Sequence, residues 1–248
     1  MTSEKGAVAS ETRLSVVIPA FNEEGRLPTT LDQIAGYIAG QAHLLPAEVV
    51  VVDDGSSDAT ARIAEGFSGP AGLSVRVVRL GRNRGKGAAV RAGLAESRGA
   101  WVLVSDADLA TPIEELGALF ASGAELAVGS RGIKRELIVR RQPLPRDTLG
   151  RVFNLALRAL GLTSLHDTQC GFKLLEGQLA RRLAGELRLD GFAFDVELLA
   201  RAERYGVTIA EVPVRWYHME SSRVRPLRHG MQMLRDALRI RWWLWTGR

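Results

Sequence analysis

Cysteine is nearly absent from this chain. A single thiol, Cys170, among 248 residues rules out an intramolecular disulfide. The opening segment MTSEKGAVASETR is polar and small, without the basic-then-apolar order of a secretory leader, so a reducing, cytoplasmic setting is expected. Long hydrophobic runs are missing too. Val49 to Val52 falls far short of the roughly 20 residues that cross a bilayer, and the apolar stretch near the C-terminus is broken by Arg235, Asp236, Arg239 and Arg241. The chain is expected to be soluble or to rest on a membrane surface. Lysine is scarce: only Lys5, Lys86, Lys134 and Lys173 appear among 33 basic residues. The net charge of +5 and a pI near 9.9 fit nucleic acid, anionic lipid or a phosphorylated substrate, so charge alone names no partner.

What is present is an alternation of two periods. Short β-rich runs at Leu14 to Ile18, Val49 to Val52, Val75 to Leu80 and Trp101 to Ser105 are each followed by a helical pattern, from about Glu23, Asp58, Gly87 and Pro112. Such βαβ repetition builds a mostly parallel sheet with helices on both faces, and ligands bind there beyond the carboxyl ends of the strands. The unusual residues sit at those ends: Pro19, Asn22 and Glu23; Asp53-Asp54-Gly55-Ser56; Gly85-Lys86-Gly87; and Asp106-Ala107-Asp108. Taken singly, each is an ordinary turn or helix cap. Turn chemistry does not ask for carboxylates directly after two different buried strands, so the four together mark a site.

Competing nucleotide motifs fail on spacing. Gly81 to Gly87 reads GRNRGKG, which lacks the spacing and the Ser/Thr after lysine of a phosphate-binding P-loop, and no G-x-G-x-x-G follows the first strand. Asp106 and Asp108 offer hard oxygen ligands suited to Mg²⁺ or Mn²⁺ held together with substrate phosphates.

The segments VVIPAFNEE, VVVVDDGSSD, NRGKGAAVRAG and VSDADLATP resemble the donor-binding half of the family 2 glycosyltransferases, over roughly residues 14 to 131. The resemblance implies a GT-A-like fold, a Rossmann-like α/β sheet, with Asp53 on the nucleobase and with Asp106 and Asp108 on the metal and sugar diphosphate. Pro19 and Glu23 would line the nucleotide pocket, and Asn22, Asp54, Lys86, Ala107 and Arg131 join the donor site. Some polyprenyl-phosphate mannosyltransferases place a glutamine two residues after the second aspartate, where this chain has Ala110.

In the second half, DTQCGFK at Asp167 to Lys173, FDVE at Phe194 to Glu197, VPVRW at Val212 to Trp216 and SSRV at Ser221 to Val224 resemble the polyprenyl-phosphate (dolichyl-phosphate) glucosyltransferase branch. That implies UDP-glucose as donor, a polyprenyl phosphate as acceptor and inversion at the anomeric carbon. Gln169, Lys173 and Arg223 would meet the acceptor phosphate, with Asp108, Lys173 and Asp195 as catalytic groups. A phosphate monoester is largely ionised at neutral pH, so Asp195 could orient rather than deprotonate. Three alternatives remain open: a mannosyltransferase using GDP-mannose, a transferase with a soluble acceptor using Asp195 or Glu197 as base, and a nucleotidyltransferase releasing pyrophosphate. A nucleic-acid binder ranks last, because acidic strand ends repel phosphate.

The expected organisation is a flexible segment 1–13, a GT-A domain over 14–226 and an amphipathic C-terminal helix over 227–248. Arg131 to Arg146 reads equally as an acceptor loop and as a charged linker. At helical period Met231, Met233, Leu234, Ala237, Leu238, Ile240, Leu244 and Trp245 fall on one broad face opposite Gln232, Arg235 and Arg239. Trp242, Trp243 and Trp245 beside Arg239, Arg241 and Arg248 have the composition of an interfacial helix. A peripheral position on the cytoplasmic membrane surface is the matching expectation, with ordinary packing on the chain's own domain as the other reading.

Overall fold

The computed structural model describes residues 12–140, 144–218 and 226–246. Four parallel strands form first, β1 (Leu14–Ala20), β2 (Ala47–Asp53), β3 (Leu73–Arg79) and β4 (Trp101–Val104). Between them run α1 (Leu27–Ala39), α2 (Thr60–Gly66) and α3 (Lys86–Glu96). A short 3-10 turn, Ile113–Glu115, then leads into α4 (Leu116–Ala121) and β5 (Leu126–Ser130). The later elements are β6 (Ile138–Arg140), α5 (Leu144–Ala159), β7 (Lys173–Glu176), α6 (Gly177–Glu186), α7 (Phe194–Arg204), β8 (Ile209–Pro213), β9 (Trp216–Tyr217) and α8 (Pro226–Thr246).

The main sheet has the order β3-β2-β1-β4-β7-β5-β8, with β7 antiparallel to both neighbours. Side-chain alternation sorts one strand into two cores. Val49 and Val51 of β2 face α1, α2 and α4, whereas Val50 and Val52 face α3, α6 and α7. The chain therefore covers both faces of the sheet, which is why its buried strands read as continuous valine and isoleucine runs. A third core joins α5, α7 and α8 through Leu157, Val196, Ala200, Met233, Ala237 and Ile240.

Strand order reverses at β1, whose partners are β2 on one side and β4 on the other. The crevice beyond β1 and β4 is thus the topological switch point, where such sheets bind ligands.

Several expected boundaries move. The first helix begins at Leu27 rather than near Glu23, because Asn22 takes φ +53° and the amides of Glu23 and Glu24 are used by Thr60 Oγ1 and Asp58 Oδ2. The helix expected from Pro112 opens as the 3-10 turn. Within 131–146 the described residues form a further 3-10 turn, Arg135–Leu137, then β6 paired with β9 and the start of α5, while 141–143 lie outside the described residues. Of the expected flexible segment, residues 1–11 lie outside the described residues, while Thr12 and Arg13 are tied to Ala100 and Pro46 by backbone hydrogen bonds.

The single broad apolar face expected on the C-terminal helix is corrected to two stripes. Met233, Ala237 and Ile240 are buried against α5 and α7, but Met231, Leu234, Leu238 and Trp245 are exposed. A helix packed along one side of its cylinder cannot bury positions that point away from that side.

Candidate active site

The loops after β1, β2 and β3 are cross-tied into one surface. Asn22 uses its amide on Ser56 Oγ (2.8 Å) and its Oδ1 on Ser57 N (2.8 Å). Asp53, almost fully buried, accepts Ser56 N at 3.0 Å. Pro19 sits beside Val52 in the β1–β2 register, and Glu23 pairs with Arg26 at 3.3 Å. Asp54 takes a structural part: its two oxygens accept Arg84 N (2.7 Å) and Gly85 N (2.8 Å), clamping the loop that delivers Lys86. Gly85 has φ +112°, and a Cβ there would fall 2.5 Å from Asp190 O, so this turn needs glycine.

Lys86, at the start of α3, places its Nζ 2.5 Å from Asp106 Oδ1. Burial opposes its charge, but Asp106, Asp195 and Asp108 outweigh that and raise its pKa. The Asp108 carboxyl is pushed up by burial and then by Asp106, only partly offset by Ala110 N and Lys86. Asp108 Oδ1 accepts Ala110 N at 3.0 Å. The peptide between the two aspartates is fixed by Thr30 Oγ1, which donates to Ala107 O at 2.7 Å. Against the other side of Asp106 lies Gly171, where a Cβ would come within 2.5 Å of Asp106 Cγ.

Behind this pair, Lys173 is enclosed at 1% exposure. Its Nζ donates to Asp195 Oδ1 at 2.5 Å and to Cys170 O at 2.6 Å. Burial raises the Asp195 carboxyl, opposed by Lys173 and Lys86. The site is therefore a chain of interleaved charges in which the adjacent carboxylates Asp108 and Asp106 are followed by Lys86, Asp195 and Lys173. Lys173 braces Asp195 from within; it does not present an exposed ammonium. Cys170 is buried, its thiol pushed up by burial, as suits an inert small side chain.

Arg131, at the end of β5, forms a fork with Asp167: Nε to Oδ2 at 2.6 Å and Nη2 to Oδ1 at 2.8 Å. Its guanidinium lies over Trp216 at 5.4 Å. Asp167 is itself placed by Glu211, whose Oε1 accepts Asp167 N at 2.8 Å. Gln169 donates its amide to Asp167 Oδ1 (3.1 Å) and its Nε2 toward Met233 Sδ of α8 (3.8 Å). Arg223 lies outside the described residues.

Glu197, weighed above as a base, is corrected. It is fully buried, accepts Arg188 N and Leu189 N, and pairs with Arg201 Nη2 at 2.9 Å, so every use of it is internal. Asp167, Gly171 and Glu211 carry roles that no motif pointed to, although Asp167 and Gly171 stand inside the DTQCGFK segment.

The residues fit a divalent cation in chemistry. Asp106 and Asp108 bring two partly or largely desolvated carboxylates together, and Asp108 has one oxygen without a partner among the described residues. Among those residues no three His, Cys, Asp or Glu side chains form a closed metal cage. Mg²⁺ in particular is commonly held by one or two carboxylates plus substrate phosphates.

With this geometry in place, the comparisons with known proteins define the class. The Glycosyl transferase family 2 profile matches residues 15–183. The chain belongs to that family and is a glycosyltransferase. Among its relatives, a mouse (Mus musculus) dolichyl-phosphate beta-glucosyltransferase is 40% identical over 95% of this chain and 76% of its own length. The human (Homo sapiens) protein of the same name is 38% identical over 95% and 76%. In fold, the chain matches the crystal structure of glucosyl-3-phosphoglycerate synthase from Mycobacterium tuberculosis in complex with Mn²⁺, UDP and phosphoglyceric acid. The TM-score is 0.62 at 24% identity, covering 94% of this chain and 78% of that one. The architecture is thus a GT-A sheet with an added C-terminal helix.

Proposed function

We propose that the chain transfers glucose from UDP-glucose to a polyprenyl phosphate of the dolichyl type, with inversion, at a cytoplasmic membrane surface. The observation that carries this reading is the identity of 38–40% across 95% of the chain to dolichyl-phosphate beta-glucosyltransferases. The charge cluster at the switch point supports it. In the reaction, an oxygen of the acceptor phosphate forms a bond to the anomeric carbon while the bond from that carbon to the diphosphate breaks, and UDP leaves with the electron pair. Attack from the face opposite UDP inverts the centre, which turns an α-linked donor into a β-linked product.

Asp106 and Asp108 would hold Mg²⁺ or Mn²⁺, which when bound neutralises diphosphate charge and stabilises the leaving group. The chain's own residues do the rest. Asp53 and the loop from Asn22 to Glu23 would receive the nucleoside. Lys86 would meet the diphosphate, its ammonium held by Asp106 at 2.5 Å and attracted by Asp195, which Lys173 braces from behind. The acceptor phosphate has a second pKa of about 6, so it arrives ionised and needs no base. Asp195, already held by Lys173, orients. Arg131 has its Nη1 without a partner among the described residues and can meet a phosphate while Asp167 holds the rest of the guanidinium.

The test is transfer of labelled sugar to the organic phase, using a short polyprenyl phosphate, Mg²⁺ or Mn²⁺, and either UDP-glucose or GDP-mannose. Label from UDP-glucose is the expected result. Label from GDP-mannose alone overturns the donor, and label only in a water-soluble acceptor overturns the lipid.

A further inference from the structure

The outer stripe of α8 is apolar without being needed by the core. Its inner side closes on α5 and α7 through Met233, Ala237 and Ile240, and Trp243 is turned inward beneath Arg188, 5.4 Å from its ring. At about 3.6 residues per turn, Met231, Leu234, Leu238, Trp242 and Trp245 align along a different side. All five are exposed, from 45% at Leu234 to 81% at Trp245. On the neighbouring α5, Val152 and Leu155 are exposed as well.

Charge selects the occupant. Arg235 and Arg241, both exposed, project on either side of the stripe at the helical period. The acidic residue of α8, Asp236, is buried and paired with Arg239 at 3.3 Å, so among the described residues α8 itself turns no carboxylate outward beside the stripe. In a two-fold contact between copies of this chain the same patch would meet itself, bringing arginines against arginines. An anionic lipid surface meets the apolar stripe and the flanking arginines at once, with tryptophan at headgroup depth. No helix among the described residues is long and apolar enough to cross a membrane.

We propose that the outer stripe of α8, Met231 to Trp245, docks the protein on anionic lipid and sets the orientation in which the acceptor element meets the membrane. This deepens the lipid-acceptor reading and rests on it. The orientation follows from two side-chain ties. Gln169 Nε2 reaches Met233 Sδ on the inner side of α8 at 3.8 Å, and Thr168 Oγ1 donates to Asn154 Oδ1 of α5 at 3.0 Å. The segment carrying Gln169 is thus fixed to the inner side of the same helix whose outer side would touch lipid, about one helix diameter, roughly 10 Å, away. A polyprenyl phosphate with its chain in the bilayer presents its headgroup at that depth.

The test is co-sedimentation of the full chain with vesicles of phosphatidylcholine alone or mixed with phosphatidylglycerol. The comparison is with Leu238→Ser/Trp245→Ser, two exposed positions outside the site. The wild type is expected on the anionic vesicles, less so at high salt. The double variant is expected to bind about tenfold more weakly, with an unchanged melting temperature and unchanged transfer to a short, water-soluble polyprenyl phosphate without vesicles. Equal vesicle binding by both proteins overturns the proposal. So does a wild-type dimer in sedimentation velocity that the double variant abolishes, since the stripe then belongs to a second copy. Vesicle binding without glucose transfer defeats the functional reading and leaves the docking surface standing; transfer without vesicle binding does the reverse.

Discussion

Lys86 Nζ and Asp106 Oδ1 lie 2.5 Å apart at the carboxyl end of the sheet, so the residue that opens α3 is already paired with the first carboxylate after β4. The pair joins two loops that neither strand could bring together alone. It also balances a set of carboxylates, Asp106, Asp108 and Asp195, that raise the Lys86 pKa against the effect of burial.

Removing that cation by Lys86→Met leaves Asp106 beside Asp108 without its paired ammonium and takes a positive charge from the diphosphate position. Transfer is expected to fall by about 100- to 1,000-fold in kcat/KM, the size seen when one preorganised electrostatic group is lost. Steady-state kinetics with UDP-glucose checks it, and a loss below tenfold would remove Lys86 from the site.

Gly171→Ala probes the same carboxylate from its other side. The added methyl group would fall 2.5 Å from Asp106 Cγ, so the aspartate must turn away. Transfer is expected to be lost while circular dichroism stays that of the wild type; full activity would mean that the Asp106 position is not critical.

Glu197→Ala should act on stability. It strands Arg201 and two backbone amides in the interior, a change that costs about 3–5 kcal/mol for a broken buried pair. Glu197→Gln keeps the shape and is expected to remain active when folded. Chemical denaturation with an activity assay distinguishes these outcomes, and a folded but inactive Glu197→Gln would restore the glutamate as a base.

The fold was legible because burial on both faces leaves uninterrupted valine runs, and because helices between strands force a parallel sheet. The Asp53, Asp106 and Asp108 positions could be read from their place at strand ends. The antiparallel β7 was not, since Lys173–Glu176 has too few residues to declare a direction, and its buried lysine conceals a strand. The roles of Asp167 and Glu211 were hidden for a different reason: they act across 36 and 44 residues of sequence, on Arg131 and on the Asp167 amide, and no local pattern records such a partnership. The C-terminal helix was recognised but its burial was not, because hydropathy cannot tell an apolar stripe facing a core from one facing outward.

Asp167 also carries a pH dependence. Burial alone would raise its carboxyl, but the charge and hydrogen bonds of Arg131 outweigh that and hold it below its ordinary 3.8. A depressed folded-state pKa contributes stability that is present above the unfolded value and is lost as pH falls through the folded one. The melting temperature is therefore expected to drop as pH goes from about 5 towards 3. Asp167→Asn should start lower and lose less over that interval. Parallel curves for the two proteins would show that this pair does not govern the acid limb.

The most direct test is calorimetric titration of UDP-glucose into the wild type and Asp108→Asn, each with and without Mn²⁺. Binding is expected to require the metal in the wild type and to be lost in Asp108→Asn, with the melting temperature of the apo protein unchanged or raised by relief of the buried charge. Metal-independent binding of equal strength in both proteins would contradict it and place the donor elsewhere.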